Sequence, residues 1–273
     1  MIKKNILYCS FIFFIVTIFF QIAVLIKLNQ YDKKINRVAS GITSNEKPPE
    51  QPEEPDTPSK VPDMEPSATE TSGFTNYEDI DEVLSPARLT QTLTGSLFIG
   101  DSRTEGLYKF TPAAGYADFH CGVGYTVSTV KDNPQLSAAI AEKKYSRIFL
   151  CLGYNELGWD YPETFISRYA EFIQFIKDNS PDTRIYVIAV LNVCRESHNL
   201  EEYENNDRIL QYNNLLSEMC QNSQVTYLDL NGYFTDSNGN LNPVSTEDGI
   251  HFTAVYYNYY LYRIIEASIS HAG

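Results

Sequence analysis

From Asn76 onward, short apolar runs alternate with longer segments in which apolar residues recur every three or four positions. The short runs are rich in β-branched residues and nearly continuous, as expected for strands that are covered on both faces. The pattern therefore predicts five buried β-strands, at Ser96–Gly100, Ala117–Gly124, Arg147–Gly153, Arg184–Val193 and Val225–Asn231.

The longer segments have the periodicity of amphipathic helices. Helices are predicted over residues 163–178, 205–220 and 253–269, the last entered at or just before Thr253. Alternating strands and helices imply a parallel sheet between two helical layers, with right-handed crossovers. We therefore predict an α/β fold, a flavodoxin-like three-layer α/β/α sandwich with a five-stranded parallel sheet. The predicted inward faces of the first two helices are Phe165, Ile166, Tyr169, Phe172, Ile173 and Ile176, and Ile209, Leu216 and Met219.

The N-terminal segment has a different pattern. Two lysines lie in a short tail, residues 1–4, and no charged residue follows from Asn5 to Ile26. A helix of about 20 apolar residues spans a bilayer core, so residues 5–28 are predicted to form a transmembrane anchor. A cleaved signal would have a shorter apolar stretch and a small-residue cleavage site, and neither is found. The basic residues that follow the span favour the opposite orientation and leave the topology open.

Residues 29–75 are rich in Pro, Glu, Ser and Thr and contain few large apolar groups. Such a segment cannot bury enough surface to fold, and its prolines favour an extended spacer. We expect a disordered linker that leads to a folded domain at residues 76–273. Anchor, linker and domain together favour a single-pass protein of the cell membrane with an extracytoplasmic domain; a cytoplasmic linker is the alternative.

Composition excludes some classes of function. The formal net charge of −14, without a basic stripe, argues against a nucleic-acid partner. Cys121, Cys151 and Cys194 lie in or directly after predicted strands and are interpreted as buried thiols rather than a disulfide framework. No CxxC or CxxH pair is present, so no Cys-based metal site and no cofactor are expected.

Polar residues follow the predicted strands where parallel sheets place their sites, at the carboxyl ends. Each has a structural explanation by itself, because Asp101 and Ser102 can cap a helix, Asn155 can form a turn and His251 can be a loop histidine. Their order along the chain is harder to explain by turn chemistry alone. The segments are GDSR after the first strand, CGVGYTVST after the second, GYNE after the third and DGIH beyond the fifth.

This arrangement resembles the SGNH hydrolase superfamily, also called GDSL esterases and lipases. GDSR, GYNE and DGIH carry the resemblance, GVG is the loosest block, and the match runs from Ser96 to the C-terminus. The chain departs from the usual pattern at Arg103, where Leu is common, and at Glu156, where Asp is usual. Both departures bear on substrate preference rather than on the reacting groups.

The chemistry of the matched residues gives a mechanism. The Ser102 hydroxyl needs a base to attack an ester carbonyl, and His251 can accept its proton. Asp248 can bond the other ring nitrogen and fix its tautomer. The resemblance implies an oxyanion hole formed by the backbone N–H groups of Ser102 and Gly124 and by the Asn155 amide, with Gly122 as the alternative to Gly124.

The expected function is an extracytoplasmic serine esterase that removes a small acyl group, such as acetyl, from an acylated small molecule or carbohydrate, including cell-wall carbohydrate. An O-acyltransferase could use the same triad, but it would need a separate membrane partner to supply acyl groups. A non-catalytic glycan-binding module is the other alternative. A long-chain lipase is disfavoured, since no conspicuous apolar lid is found.

Three further features have more than one interpretation. Trp159 could line an acyl or sugar site, although a structural role is equally consistent with its position. The tyrosines between Tyr256 and Tyr262 are interpreted as the packing face of the last helix. Arg103 could hold an anionic group of the substrate, but an ion pair with Glu105 or Glu156 is the favoured prediction.

Overall fold

The computed structural model describes residues 77–195, 197 and 200–271. The predicted tail (1–4), anchor (5–28) and linker (29–75) lie outside the described residues. Within the described ranges, no helix combines the length and apolarity needed to cross a bilayer.

The five predicted strands form one parallel sheet, in the order β2-β1-β3-β4-β5. This confirms the predicted α/β fold with a five-stranded parallel sheet. Aromatic rings stack across neighbouring strands: the Phe98 ring lies 4.9 Å from that of Phe119 and 4.6 Å from that of Phe149. The strands are β1 (Ser96–Gly100), β2 (Asp118–Cys121), β3 (Arg147–Cys151), β4 (Arg184–Ile188) and β5 (Thr226–Leu228).

Helices cover both faces of the sheet. One face packs on α4 to α7 and the other on α1, α2, α3 and α8, so that alternate residues of each strand enter different cores. The helices are α1 (Tyr77–Val83), α2 (Pro86–Leu93), α3 (Ser102–Phe110), α4 (Val127–Lys131), α5 (Pro134–Lys143), α6 (Pro162–Asn179), α7 (Asn206–Ser223) and α8 (Ala254–Ser270).

The predicted helix faces agree with the structure. Of the six residues predicted to face inward on α6, five are buried and Ile166 is partly buried against the core. The three predicted for α7 are buried as well. Thr253 stands at the N-cap of α8, without a side-chain capping bond. The tyrosine-rich segment is largely a packing face, as predicted, since Tyr257, Tyr259, Tyr260 and Tyr262 are buried.

The strand ends were predicted less well. Only β1 has the predicted bounds, and the predicted extension of β4 to Val193 is wrong. Beyond Ile188 the chain stays buried, but the Asn213 side chain accepts from the Val190 N–H at 2.8 Å and donates to its carbonyl at 2.9 Å. The apolar pattern indicates only that these residues are buried. Beyond Ile188, side-chain amides supply the hydrogen bonds that a neighbouring strand would otherwise make. β2 is half-buried rather than covered on both faces, because it lies at the edge of the sheet.

The four cysteines among the described residues are free thiols. Cys194 and Cys220 are buried, whereas Cys121 and Cys151 are half-buried. Burial raises the pKa of the Cys121 thiol to about 11, with the nearby Glu105 carboxylate as a smaller contribution. Cys121 and Cys151, predicted to be buried thiols, are therefore only partly buried, and for Cys121 the reason is that its strand, β2, lies at the edge of the sheet.

Candidate active site

Ser102 is the first residue of α3, and only Asp101 separates it from the end of β1. Asp101 caps this helix, because its carboxylate accepts the Arg103 N–H at 2.9 Å. Gly100 is required for this tight turn: a Cβ there would lie 1.9 Å from Thr104 Oγ1 and 2.6 Å from the Cys151 carbonyl. Of the two residues that could cap a helix, Asp101 is the one that does so. The Ser102 hydroxyl is not used for capping and faces the edge of the sheet.

The structure brings Ser102, His251 and Asp248 together. Ser102 Oγ lies 2.8 Å from His251 Nε2, across 149 residues of sequence. His251 Nδ1 lies 2.6 Å from Asp248 Oδ2. The side chains of His251 and Asp248 are 36% and 49% exposed, so the pair faces solvent at the open edge of the sheet.

The Asp248 carboxylate is fixed by its own turn. Its Oδ1 accepts the N–H groups of Ile250 and His251, each at 2.8 Å. Partial burial acts to raise the pKa of Asp248, but these N–H groups and the His251 ring hold it below its ordinary value. A carboxylate that remains ionised in this geometry can orient the imidazole and stabilise it when protonated.

The loop between β2 and α4 distinguishes the two candidate glycines. The Gly122 N–H donates to the Gly100 carbonyl at 3.3 Å and is therefore already used. Gly124 is exposed, has a φ of +76° that favours glycine, and has no atom within 4 Å of a Cβ position. Within residues 77–271 as described, no acceptor is found for the N–H groups of Gly124 and Ser102.

Asn155 lies on the same side of the site. Its Nδ2 donates to the carbonyl of Tyr125, the residue after Gly124, at 2.9 Å. An amide nitrogen has two donors, so one N–H remains for another acceptor. Asn155 therefore joins the β3 end to the Gly124 loop and keeps one donor for a ligand.

The predicted ion pair of Arg103 with Glu105 or Glu156 is wrong. Glu105 pairs with Lys109 at 2.5 Å. Glu156 is fully buried, and its Oε1 accepts the Val127 N–H at 2.6 Å. The Arg103 side chain is buried too, but it bonds backbone carbonyls. Because both side chains are buried, neither Arg103 nor Glu156 can contact a substrate directly. The local sequence does not show that these two residues are buried.

Trp159 is half-buried and packs against the α6–α7 core, and its carbonyl accepts a bond from Arg208. This contact favours the structural interpretation of the residue. In the ranges that the structure describes, no group of three or more His, Cys, Asp or Glu side chains is arranged to bind a metal.

Glu156→Gln is expected to make the protein more stable at pH 8 than the wild type. Burial raises the pKa of Glu156 to about 8, from an ordinary value of 4.5. Between these pH values the unfolded chain has released the proton that the folded chain retains, so wild-type stability falls as pH rises. Glutamine preserves the acceptor for Val127 and does not ionise. The expected gain is on the order of 4 kcal/mol at pH 8 and near zero at pH 4.5.

Chemical denaturation at pH 5 and pH 8 measures this difference. Glu142→Gln, an exposed change on α5, is the matched control and should show no such pH dependence. The same stability difference at both pH values for Glu156→Gln would contradict the prediction.

Comparison with known proteins gives the family. A model of the GDSL-like lipase/acylhydrolase family matches residues 98–258, more than half of the chain. Over 171 residues the chain is 31% identical to an N-acylneuraminate cytidylyltransferase from Streptococcus agalactiae serotype V, which covers 61% of this chain and 37% of that protein. The chain thus spans little more than a third of the length of this curated relative.

Two solved structures show the same fold. One, from Streptococcus pneumonia and provisionally described as a platelet activating factor, has a TM-score of 0.53 and 20% identity over 70% of this chain and 91% of its own. The other, a GDSL-like lipase from Bacteroides thetaiotaomicron, has a TM-score of 0.50 and 18% identity over 63% and 88%. With the family match and the GDSR, GYNE and DGIH segments at one sheet edge, these similarities lead to one conclusion: the chain belongs to the GDSL-like lipase/acylhydrolase family, the SGNH hydrolases.

Proposed function

We propose that the protein is a serine esterase in which Ser102 is the nucleophile, His251 the general base and Asp248 the residue that orients the base. The observation that carries the proposal is the continuous contact from Ser102 Oγ to His251 Nε2 at 2.8 Å and from His251 Nδ1 to Asp248 at 2.6 Å. These distances allow a proton to move from the serine to the imidazole as the serine attacks.

The proposed reaction has two halves. Ser102 Oγ attacks the ester carbonyl and gives its proton to His251, which then protonates the departing alcohol, leaving an acyl-serine. Water, deprotonated by His251, attacks the acyl-serine, and His251 returns the proton to Ser102 Oγ as the carboxylic acid leaves. Both tetrahedral intermediates carry a negative oxygen, for which the N–H groups of Ser102 and Gly124 and the Asn155 amide would supply donors. Among the described residues the Gly124 N–H has no acceptor, whereas the Gly122 N–H is bonded to the Gly100 carbonyl, and this contrast favours Gly124.

We propose a small acyl group, such as acetyl, on a carbohydrate as the substrate class. The site supports this because Gly124, His251 and Asp248 face solvent, which admits an ester on a bulky sugar or polymer. We also propose that residues 5–28 anchor the chain in the cell membrane and that the domain acts outside it on cell-wall or other surface carbohydrate. The apolar segment and the acidic, proline-rich linker motivate this placement.

A fluorophosphonate probe tests the nucleophile directly. The serine oxygen displaces fluoride from phosphorus, so a competent site gains one stable phosphonyl group per chain. We expect peptide mapping to place the label on Ser102, in competition with p-nitrophenyl acetate. The absence of both labelling and hydrolysis would contradict the proposal and favour a glycan-binding module. Labelling without hydrolysis would favour acyl transfer to a sugar acceptor.

A further inference from the structure

Arg103 is the one residue of the GDSR segment whose role the proposed mechanism leaves open. It is 6% exposed, which is unusual for an arginine that forms no ion pair within the described residues. Its guanidinium makes three contacts with distant parts of the chain. Nε donates to the Ile250 carbonyl at 3.0 Å, Nη1 donates to the Leu191 carbonyl at 2.8 Å, and the group lies 4.3 Å above the Tyr154 ring.

The positions of these contacts are informative. Arg103 itself follows Ser102, Tyr154 precedes Asn155, and Ile250 precedes His251. The Arg103 side chain therefore contacts the residue before the base and the residue before the amide donor. Arg103 is also the residue that follows the nucleophile in the chain. The Ile250 carbonyl belongs to the same peptide group as the His251 N–H, so a displacement of that carbonyl also moves the His251 backbone.

We propose that Arg103 is a positioning residue that holds His251 and Asn155 in register with Ser102. This role depends on the proposed function, because it concerns the geometry of those three groups. The guanidinium suits the task, since it is planar and its donors point in fixed directions, whereas an ammonium has no fixed fork. A buried carboxylate also fixes the Arg103 backbone, because Asp101 Oδ1 accepts the Arg103 backbone N–H at 2.9 Å.

The expected effect follows from the steep dependence of catalysis on geometry. A displacement of about 1 Å at a reacting group can cost about 10²-fold in rate. Leucine at position 103 fills part of the same volume but donates no hydrogen bond. We therefore expect Arg103→Leu to reduce kcat for p-nitrophenyl acetate and the rate constant of fluorophosphonate labelling about 10²-fold, with KM within about twofold of the wild type.

The stoichiometry of labelling separates positioning from general structural damage. A damaged protein would contain fewer sites that can be labelled, whereas a mispositioned site is labelled slowly but completely. We expect Arg103→Leu to reach one label per chain at long times. Arg103→Lys retains the charge and can reach one carbonyl, so it should recover part of the rate, with a deficit of about tenfold. If Arg103→Leu fails to fold, the lysine variant decides the question through the same two readouts.

Arg208→Leu is the matched control. Arg208 also donates to two carbonyls, of Leu157 at 3.1 Å and Trp159 at 2.6 Å, and lies 5.1 Å from the Tyr212 ring, but it adjoins none of the candidate catalytic residues. Unchanged labelling rates in both folded Arg103 variants, or equal slowing in Arg208→Leu, would overturn the positioning role. A wild-type protein that is never labelled would instead overturn the proposed function, and the positioning role with it.

Discussion

Ser102→Ala is expected to abolish ester hydrolysis, with a fall in kcat of about 10⁶-fold. Alanine removes the attacking oxygen and leaves the fold intact, because Ser102 is only half-buried at the first position of α3 and Asp101, rather than Ser102, caps that helix. The measurement is the initial rate of p-nitrophenyl acetate hydrolysis, with thermal unfolding as the check on structure.

The comparison with His251→Ala makes this test more specific. Groups that act as one unit are not additive, so the single variants and the double variant should share nearly the same residual rate. Ser137→Ala, which removes a serine hydroxyl from α5 away from the site, should retain wild-type activity. Residual activity of a tenth or more in Ser102→Ala would mean that another group is the nucleophile.

Asp248→Asn is expected to reduce kcat by about 10⁴-fold with little change in fold. Asparagine can still offer an oxygen to the N–H groups of Ile250 and His251, which Asp248 Oδ1 now bonds at 2.8 Å. Its amide nitrogen would then face His251 Nδ1, where the carboxylate now lies at 2.6 Å. That nitrogen donates, so the ring would have to accept at Nδ1 and carry its proton on Nε2. A protonated Nε2 cannot take the proton of Ser102.

Asp236→Asn is a close control for this change. Asp236 also accepts two backbone N–H groups within its own turn, those of Asn238 and Asn240 at 2.9 Å, but no histidine of the described part of the chain bonds it. We expect a similar small loss of stability in both variants and a loss of activity only at position 248. Comparable activity in the two variants would show that Asp248 does not orient the base.

The pKa of Asp248 adds a pH dependence to this result. Because the folded protein holds this pKa below its ordinary value of 3.8, the carboxylate contributes stability above that value. The contribution is lost as pH falls through the folded pKa. The Asp248→Asn variant lacks it at every pH, so the stability difference from the wild type should shrink under strongly acidic conditions.

Sequence by itself determined much of this protein. Nearly continuous apolar runs predicted the five strands and the parallel sheet, and apolar residues recurring every three or four positions predicted the inward faces of α6 and α7, because burial of apolar side chains dictates those patterns directly. The carboxyl-end rule then assigned Ser102, Asn155 and His251 to one edge of that sheet, since parallel strands must end on the same side. Strand ends such as that of β4 were not predictable, because the partner there is the Asn213 side chain rather than a strand.

Only the tertiary structure decided which polar groups face the site and which are buried beneath it. Arg103 and Glu156 lie beside Ser102 and Asn155 in sequence, and the local pattern predicted an ion pair of the arginine with Glu105 or Glu156. Burial instead directs Arg103 to the carbonyls of Ile250 and Leu191, while Glu156 accepts the N–H of Val127 and its pKa rises to about 8. The partners of both groups lie 29 to 147 residues away along the chain, and such contacts exist only once the sheet and its helical layers have assembled.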